Sequence, residues 1–267
     1  MKLAMQTSRL PGDTLREKFQ FARTYGFDGV EVNIGPAFDL GENLDELLEA
    51  SSASGVPVAA ICTHGMHDPL QPEPDLRAER FAGLTRLLDL ADQLGAAGIV
   101  CVPVRRPVEF PDLSETDVME FAVAEFRRWS ATVPAGKSAI FFEPLNRYEA
   151  TFLRSVDQGV ALAQAVDHPR VRALADLFHM NIEEASMSQP ILEAGSWLGH
   201  VHIADNNRLQ PGAGCLDFTV PFRAVKEIGF EGYLAIESAL GGPLAERGAT
   251  AMLPETVRFL RDAWTNA

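Results

Sequence analysis

Residues 58–62 read Val-Ala-Ala-Ile-Cys, and residues 99–102 read Ile-Val-Cys-Val. Both runs are apolar at every position. A strand with one solvated face alternates apolar and polar side chains, whereas a strand covered on both faces need not, so these runs predict parallel strands packed under helices. Working outward, further runs of strand length place strands at 2–6, 29–33, 58–63, 99–104, 139–145, 172–177, 200–204 and 233–237. Helical spacing fills the gaps between them. In 75–94, Phe81, Leu84, Leu87, Leu88, Ala91 and Leu94 recur three or four apart and share one helical face, and 120–133 is a second such stretch. Gly26, Gly55 and Gly95 are expected to close the first three helices, and Gly229 precedes the last strand. Ser114 with Asp117 suits the N-cap of the fourth helix.

Eight strand–helix units in 267 residues are what a (β/α)₈ TIM barrel requires. The rival architecture, an open doubly wound α/β sheet, carries a Gly-rich phosphate turn after its first strand, and Gln6-Thr7-Ser8-Arg9-Leu10-Pro11 is not one. No linker or composition break divides the chain, so 1–267 is read as a single TIM-barrel domain. A hydrophobic fraction of 46% with 22% charged residues is the profile of a globular chain with a large core. Asp plus Glu number 37 against 23 Lys plus Arg, a formal net charge of -14 that opposes nucleic-acid binding. No stretch approaches the roughly 18 apolar residues that span a bilayer, and the N-terminus turns polar too early for a signal peptide. Neither nucleic acid nor membrane is therefore expected as a partner. Three cysteines without a CxxC pair suit a reducing cytoplasm, the expected location. Cys62 and Cys101 read as buried strand residues and Cys215 as a loop thiol.

In a barrel, functional groups gather at the C-terminal ends of the strands. His64 follows the third strand, Glu143 ends the fifth, Asp176 lies at the sixth, His202 in the seventh and Glu237 at the eighth. A carboxylate among apolar neighbours is costly to bury unless paired or metal-bound. One such residue is ordinarily a salt-bridged loop residue; four at neighbouring strand ends point to a site. Three carboxylates and one imidazole offer mostly hard oxygen ligands, which suits one divalent metal ion: Mn²⁺ first, with Mg²⁺, Co²⁺ or Zn²⁺ as alternatives. His200 and His202 share a strand face, so either is a candidate ligand. Arg105, Arg106, Arg147 and Arg208 follow strands four, five and seven. They read either as forks for phosphate or carboxylate or as salt-bridged surface charge, the second being favoured for Arg105 and Arg106.

Phe142-Glu143-Pro144-Leu145-Asn146-Arg147-Tyr148-Glu149 resembles the strand-five motif of the ketose 3-epimerases, such as D-tagatose and D-psicose 3-epimerase. Asp176-Leu177-Phe178-His179-Met180-Asn181-Ile182-Glu183-Glu184 resembles their strand-six motif. Gly199-His200-Val201-His202 with Asn207-Arg208 resembles strand seven, and Gly232-Tyr233-Leu234-Ala235-Ile236-Glu237 strand eight. The likeness covers residues 139 to 240, is weaker before them, and falls within the xylose-isomerase-like TIM-barrel superfamily. The resemblance implies that Glu143, Asp176, His202 and Glu237 hold one divalent metal. It implies that Glu149, His179 and Arg208 touch the hydroxyls or carbonyl of a sugar. His64 is added as a substrate contact because a strand-three histidine faces the mouth.

The implied activity is a metal-dependent sugar isomerase or epimerase acting on a ketose or related hydroxy-carbonyl compound. A proton is abstracted beside the carbonyl through a metal-stabilised enediolate, with Glu143 and Glu237 as the acid/base pair on opposite faces. Return of the proton to the neighbouring carbon would make an aldose–ketose isomerase. The partner expected is a small sugar or sugar acid, with a homo-oligomer left open. The loop from Arg208 to Phe218, with Pro211-Gly212-Ala213-Gly214, resembles hydroxypyruvate isomerase and inosose-processing enzymes as much as epimerases, so a hydroxypyruvate isomerase-like or inosose isomerase or dehydratase activity is the nearest alternative. A phosphosugar enzyme would use the arginines. An apurinic endonuclease would need further His and Asp ligands, which Pro103-Val104-Arg105 does not supply and of which only Asp217 stands beyond strand seven. A non-catalytic sugar-binding barrel would not need the four strand-end groups.

Overall fold

The computed structural model describes residues 1–241 and 248–267. Eight parallel strands close into a barrel in sequence order. They are β1 (Lys2–Gln6), β2 (Gly29–Asn33), β3 (Val58–Cys62), β4 (Gly98–Cys101), β5 (Ala139–Phe142), β6 (Val171–Asp176), β7 (Leu198–Ile203) and β8 (Tyr233–Ile236). The last strand pairs with the first, Lys2 against Tyr233 and Met5 against Ile236, so the ring has no edge. The single (β/α)₈ barrel expected from the strand runs is the observed fold.

Several strands stop sooner than the apolar runs suggest. The expected 99–104 and 139–145 end at Cys101 and Phe142. Pro103 and Pro144, lacking an N–H, cannot continue a ladder. The expected 58–63 and 233–237 each end one residue early, while β6 and β7 begin one and two residues early.

The helices among the described residues are α1 (Leu15–Tyr25), α2 (Leu44–Ser54), α3 (Pro74–Leu94), α4 (Glu115–Ser130), α5 (Val156–Val166), α6 (Leu177–Glu183), α7 (Gln189–Ala194), α8 (Thr219–Glu227) and α9 (Ala249–Asn266). Gly26, Gly55 and Gly95 end α1, α2 and α3 in the left-handed conformation, as the sequence predicts. α4 starts five residues before the expected 120, at the turn where Ser114 Oγ accepts from the Asp117 N–H (3.2 Å) and Asp117 Oδ2 from the Ser114 N–H (3.0 Å). This is a reciprocal capping box.

Strand alternation sorts the side chains into two layers. One set, including Met5, Val32, Ile61, Ile99, Ile140, Phe142, Val201 and Ile236, packs outward into the cluster shared with the helices. Ala60, Cys62, Val100, Phe141 and Leu174 form a separate, inner cluster. Gln6, Glu31, Glu143, Asp176, His200, His202 and Glu237 stand in phase with this inner set, two residues apart along their strands. Below them, Arg170 ties the N-terminal ends of β5 and β6 to α3. Its guanidinium donates to the Ser138 carbonyl (2.6 Å) and the Pro134 carbonyl (2.8 Å) and pairs with Asp92 (2.5 Å).

Candidate metal centre

Asp176 and His202 stand on β6 and β7, Glu143 and Glu237 directly follow β5 and β8, and the ligating atoms of the four lie within 4.8 Å of one another. His202 Nδ1 sits 2.9 Å from Glu143 Oε1 and 3.2 Å from Glu237 Oε2. Arg208 donates to Asp176 Oδ2 (2.8 Å) and Glu237 Oε2 (2.6 Å), and its guanidinium lies 4.5 Å over the Phe178 ring. Its backbone is left-handed (φ 61°), held in a turn whose centre is the buried Asp205. The Asp205 carboxylate accepts from the N–H groups of Gly212 (2.9 Å) and Leu216 (3.0 Å). At Gly214 a Cβ would meet Asp205 Oδ1 at 2.2 Å, which is why the turn read as Pro-Gly-x-Gly in the sequence needs a residue without a side chain there.

His179 on α6 is buried beside this group. Its Nδ1 accepts the backbone N–H of Asn146 (3.1 Å), and the Asn146 side-chain amide approaches to 2.8 Å. A backbone amide can only donate, so Nδ1 is the acceptor and the ring N–H is at Nε2, 3.5 Å from Asp176 Oδ2. Asn146 also donates to Glu149 (2.8 Å), an exposed residue that is thereby tied to His179 without touching the four strand-end groups. Asn146 was part of the strand-five motif but carried no role in the sequence reading. His64 is exposed on the loop after β3, where its Nδ1 accepts from the Met66 N–H (3.4 Å), and it stands apart from the group. The other arginines are committed to carboxylates: Arg105 to Asp68 through two bonds (2.8 and 3.1 Å), Arg106 to Glu109 (3.1 Å) and Arg147 to Glu183 (2.8 Å). That is the salt-bridged reading.

A second set, Glu31, His200 and His202, lies against the first and shares His202 with it. Glu31 accepts from Gln6 Nε2 (2.9 Å) and faces His200 Nε2 (2.7 Å) and His202 Nε2 (3.1 Å). Gln6 Nε2 also donates to Glu237 (3.1 Å), linking the two sets. Glu31 and Gln6 escaped the sequence reading. Their signal was phase: both stand on the inward positions of β1 and β2, directly paired across the ladder. The two histidines divide. His202 reaches the strand-end carboxylates, while His200 stacks on Phe141 (centroids 5.4 Å, planes 7° apart) and touches Glu31. The two sets also differ in access. The Glu237 side chain is 21% exposed, but Glu31 and His200 are 0% exposed, so the first set opens to the barrel mouth and the second is sealed.

The charges settle one another. Burial would raise the Glu237 carboxyl, but His202 and Arg208 outweigh it and hold it well below the usual carboxylate range. Burial likewise opposes, and Arg208 overrides it, so that Asp176 is lowered too. Glu31 is lowered against its burial by His202 and His200. His202, despite a burial that disfavours its cation, is raised well above an ordinary imidazole by Glu31, Glu237 and Glu143. Burial, and then the charge of Glu237, push the Cys62 thiol up, so it is no nucleophile. Among the described residues no helix is long and apolar enough to cross a membrane.

Comparison with known proteins agrees with the geometry. The family model for the xylose isomerase-like TIM barrel matches residues 19–263. The 3-dehydro-D-guloside 4-epimerase of Escherichia coli (strain K12) is 29% identical over 250 residues, 90% of this chain and 93% of that one. A probable ketose 3-epimerase of Synechocystis sp. is 30% identical over 227 residues, covering 82% of this chain and 77% of the relative. Among solved structures, an E. coli 3-keto-D-glucoside 4-epimerase superposes with a TM-score of 0.84 at 26% identity, over 98% of this chain and 99% of that one. With a closed eight-stranded barrel, acids and a histidine at its mouth, and epimerases as its relatives, the chain is an enzyme of the isomerase class and belongs to the xylose isomerase-like TIM barrel family.

Proposed function

We propose that the protein is a metal-dependent sugar epimerase that inverts a carbon next to a ketone. The observation that carries this reading is the convergence of Glu143, Asp176, His202 and Glu237 at the open end of the barrel. The relatives support the reaction class. A ketose 3-epimerase and a 3-keto-glucoside 4-epimerase differ in where the ketone stands, but both names describe inversion at the carbon beside it.

The residues fit a divalent cation. Counting Glu31, four buried or mostly buried carboxylates face one guanidinium and three imidazoles, those of His179, His200 and His202, and the mouth set offers hard oxygens with one ring nitrogen. Glu143, Asp176, His202 and Glu237 would hold the ion, Mn²⁺ in the first instance. When bound, it supplies a Lewis acid that polarises the ketone and its neighbouring oxygen. The chain's own groups do the rest. Glu143 takes the proton from the carbon beside the ketone, and the electron pair moves onto the ketone oxygen. Glu237, on the other side and open to solvent at the mouth, takes up a proton there and passes it to the opposite face as that pair moves back, and Glu143 afterwards releases its own proton to solvent. The Nε2–H of His179 and the Arg208 guanidinium hold the oxygens of the substrate, and Glu149 a hydroxyl farther out. His64 contacts the far end of the sugar at the rim. The whole chain acts as one catalytic domain, and free thiols suit a cytoplasmic setting.

The test is a panel of free ketoses, keto-glycosides and hydroxy-keto acids incubated with Mn²⁺ in deuterated water. Deuterium at the inverted carbon is expected; loss of one water from the product would instead mark a dehydratase. Glu143→Gln is expected to keep the fold and the metal while turnover falls by about 10²–10⁴-fold. Near-normal turnover would remove Glu143 from the role of base.

A further inference from the structure

Resting on the metal-centre reading, we propose that Glu31 is a positioning residue: it fixes the tautomer and ring orientation of His202 so that Nδ1 can turn its lone pair to the ion that Glu143, Asp176 and Glu237 would hold with it. An imidazole ligand gives one nitrogen to the ion and needs an acceptor for the N–H on the other; such outer carboxylates set both tautomer and basicity. His202 meets this requirement on its two sides. Nδ1 faces Glu143 (2.9 Å) and Glu237 (3.2 Å), and Nε2 faces both oxygens of Glu31 (3.1 and 3.2 Å).

Glu31 is itself braced as an acceptor. Its oxygens receive the Gln6 amide (2.9 Å) and meet His200 Nε2 (2.7 Å). His200 Nδ1 has no partner among the described residues, so the hydrogen of that ring belongs on Nε2, toward Glu31. The Phe141 stack keeps His200 in place. Gln6 bonds Glu31 and Glu237 with one amide group, so the positions of the acceptor and of a mouth carboxylate are set together. The competing use of these residues, a second ion held by Glu31, His200 and His202, would require both rings to give up the Nε2 hydrogen and the Gln6 donor to move. The sealed triad is therefore a support for one ion and no site for another.

The experiment titrates the purified protein with Mn²⁺ by electron paramagnetic resonance and records ¹⁵N imidazole spectra of the Zn²⁺-loaded protein. One Mn²⁺ per chain is expected, with Nε2 of His202 protonated and Nδ1 ligating. Glu31→Gln is expected to bind Mn²⁺ about 10–100-fold more weakly with an unchanged circular dichroism spectrum. Two ions per chain, Nε2 ligation, or undiminished affinity of the folded variant would overturn the role of Glu31 while leaving the metal centre standing. A wild type that binds no Mn²⁺ would overturn the metal centre and the proposal together. Should Glu31→Gln fail to fold, the wild-type ¹⁵N spectrum decides the question alone.

Discussion

Arg170 is far from the barrel mouth, yet its replacement by Met tests how the site is carried. The side chain is 6% exposed and makes three bonds: to the Ser138 carbonyl at the start of β5, to the Pro134 carbonyl before it, and to Asp92 on α3. Met keeps much of the aliphatic volume and removes every donor. Hydrogen bonds from a charged group contribute about 1.5–3 kcal/mol each, and stripping one partner from a buried charged network costs about 3–5 kcal/mol. The lower part of that sum applies, because Asp92 is 24% exposed and keeps the N–H groups of Lys137 (2.8 Å) and Ser138 (2.7 Å). Unfolding entropy near 2.1 cal/mol/K per residue gives about 0.6 kcal/mol/K for a chain of this length, so Arg170→Met should lower Tm by about 5–9 °C at pH 7. Burial pushes Asp92 up, but the backbone of Ser138 and Lys137 and the Arg170 charge hold it below the usual range. A carboxyl lowered by folding stabilises above its unfolded value and loses that contribution as pH falls through the folded one. The Tm gap between wild type and variant should therefore narrow in acid without closing, since the two carbonyl bonds do not titrate. Melting followed by circular dichroism from pH 7 to pH 2.5 reads both effects. A Tm unchanged at pH 7, or a gap that widens in acid, would refute the assignment.

Asp68 is pushed up to about 6 by burial, against the pull of Arg105. Its protonated form is favoured in the fold, so this contribution is full below about pH 4 and lost as pH rises through 6. The unfolding free energy of wild type relative to Asp68→Asn, from urea titrations, should fall over that window by up to about 3 kcal/mol, and a difference flat with pH would contradict it. Gly214→Ala places a Cβ 2.2 Å from Asp205 Oδ1 and must shift the turn that carries Arg208. A loss of about 1–3 kcal/mol with a raised KM is expected, and unaltered kinetics would show that the turn does not set Arg208. Ser114→Ala removes the α4 cap and should cost about 1 kcal/mol in chemical denaturation without changing turnover; a larger loss would mean the cap carries more than one turn of helix.

The eight strands were legible because a barrel buries both faces of each strand, and runs such as Val58-Ala59-Ala60-Ile61-Cys62 have no polar alternation. Their ends were less so, since Leu145 and Val104 are as strand-like as their neighbours and only the prolines before them stop the ladder. Glu143, Asp176 and Glu237 could be named because each is a charge at the end of an apolar run. Glu31 could not: it sits in mid-strand, and its meaning depends on its level around the ring relative to β7, which only closure fixes. The choice between His200 and His202 needed the same information. Asn146 works through its backbone N–H as much as its side chain, and a backbone donor leaves no mark in sequence.

Because β8 seals the ring against β1, the order of synthesis has a cost. Until residue 236 has left the ribosome, the N-terminal strand has an unfilled flank, and the half-made sheet can recruit a neighbouring nascent chain. All four mouth groups lie on the late half, so on the proposed reading the early half alone could capture no ion.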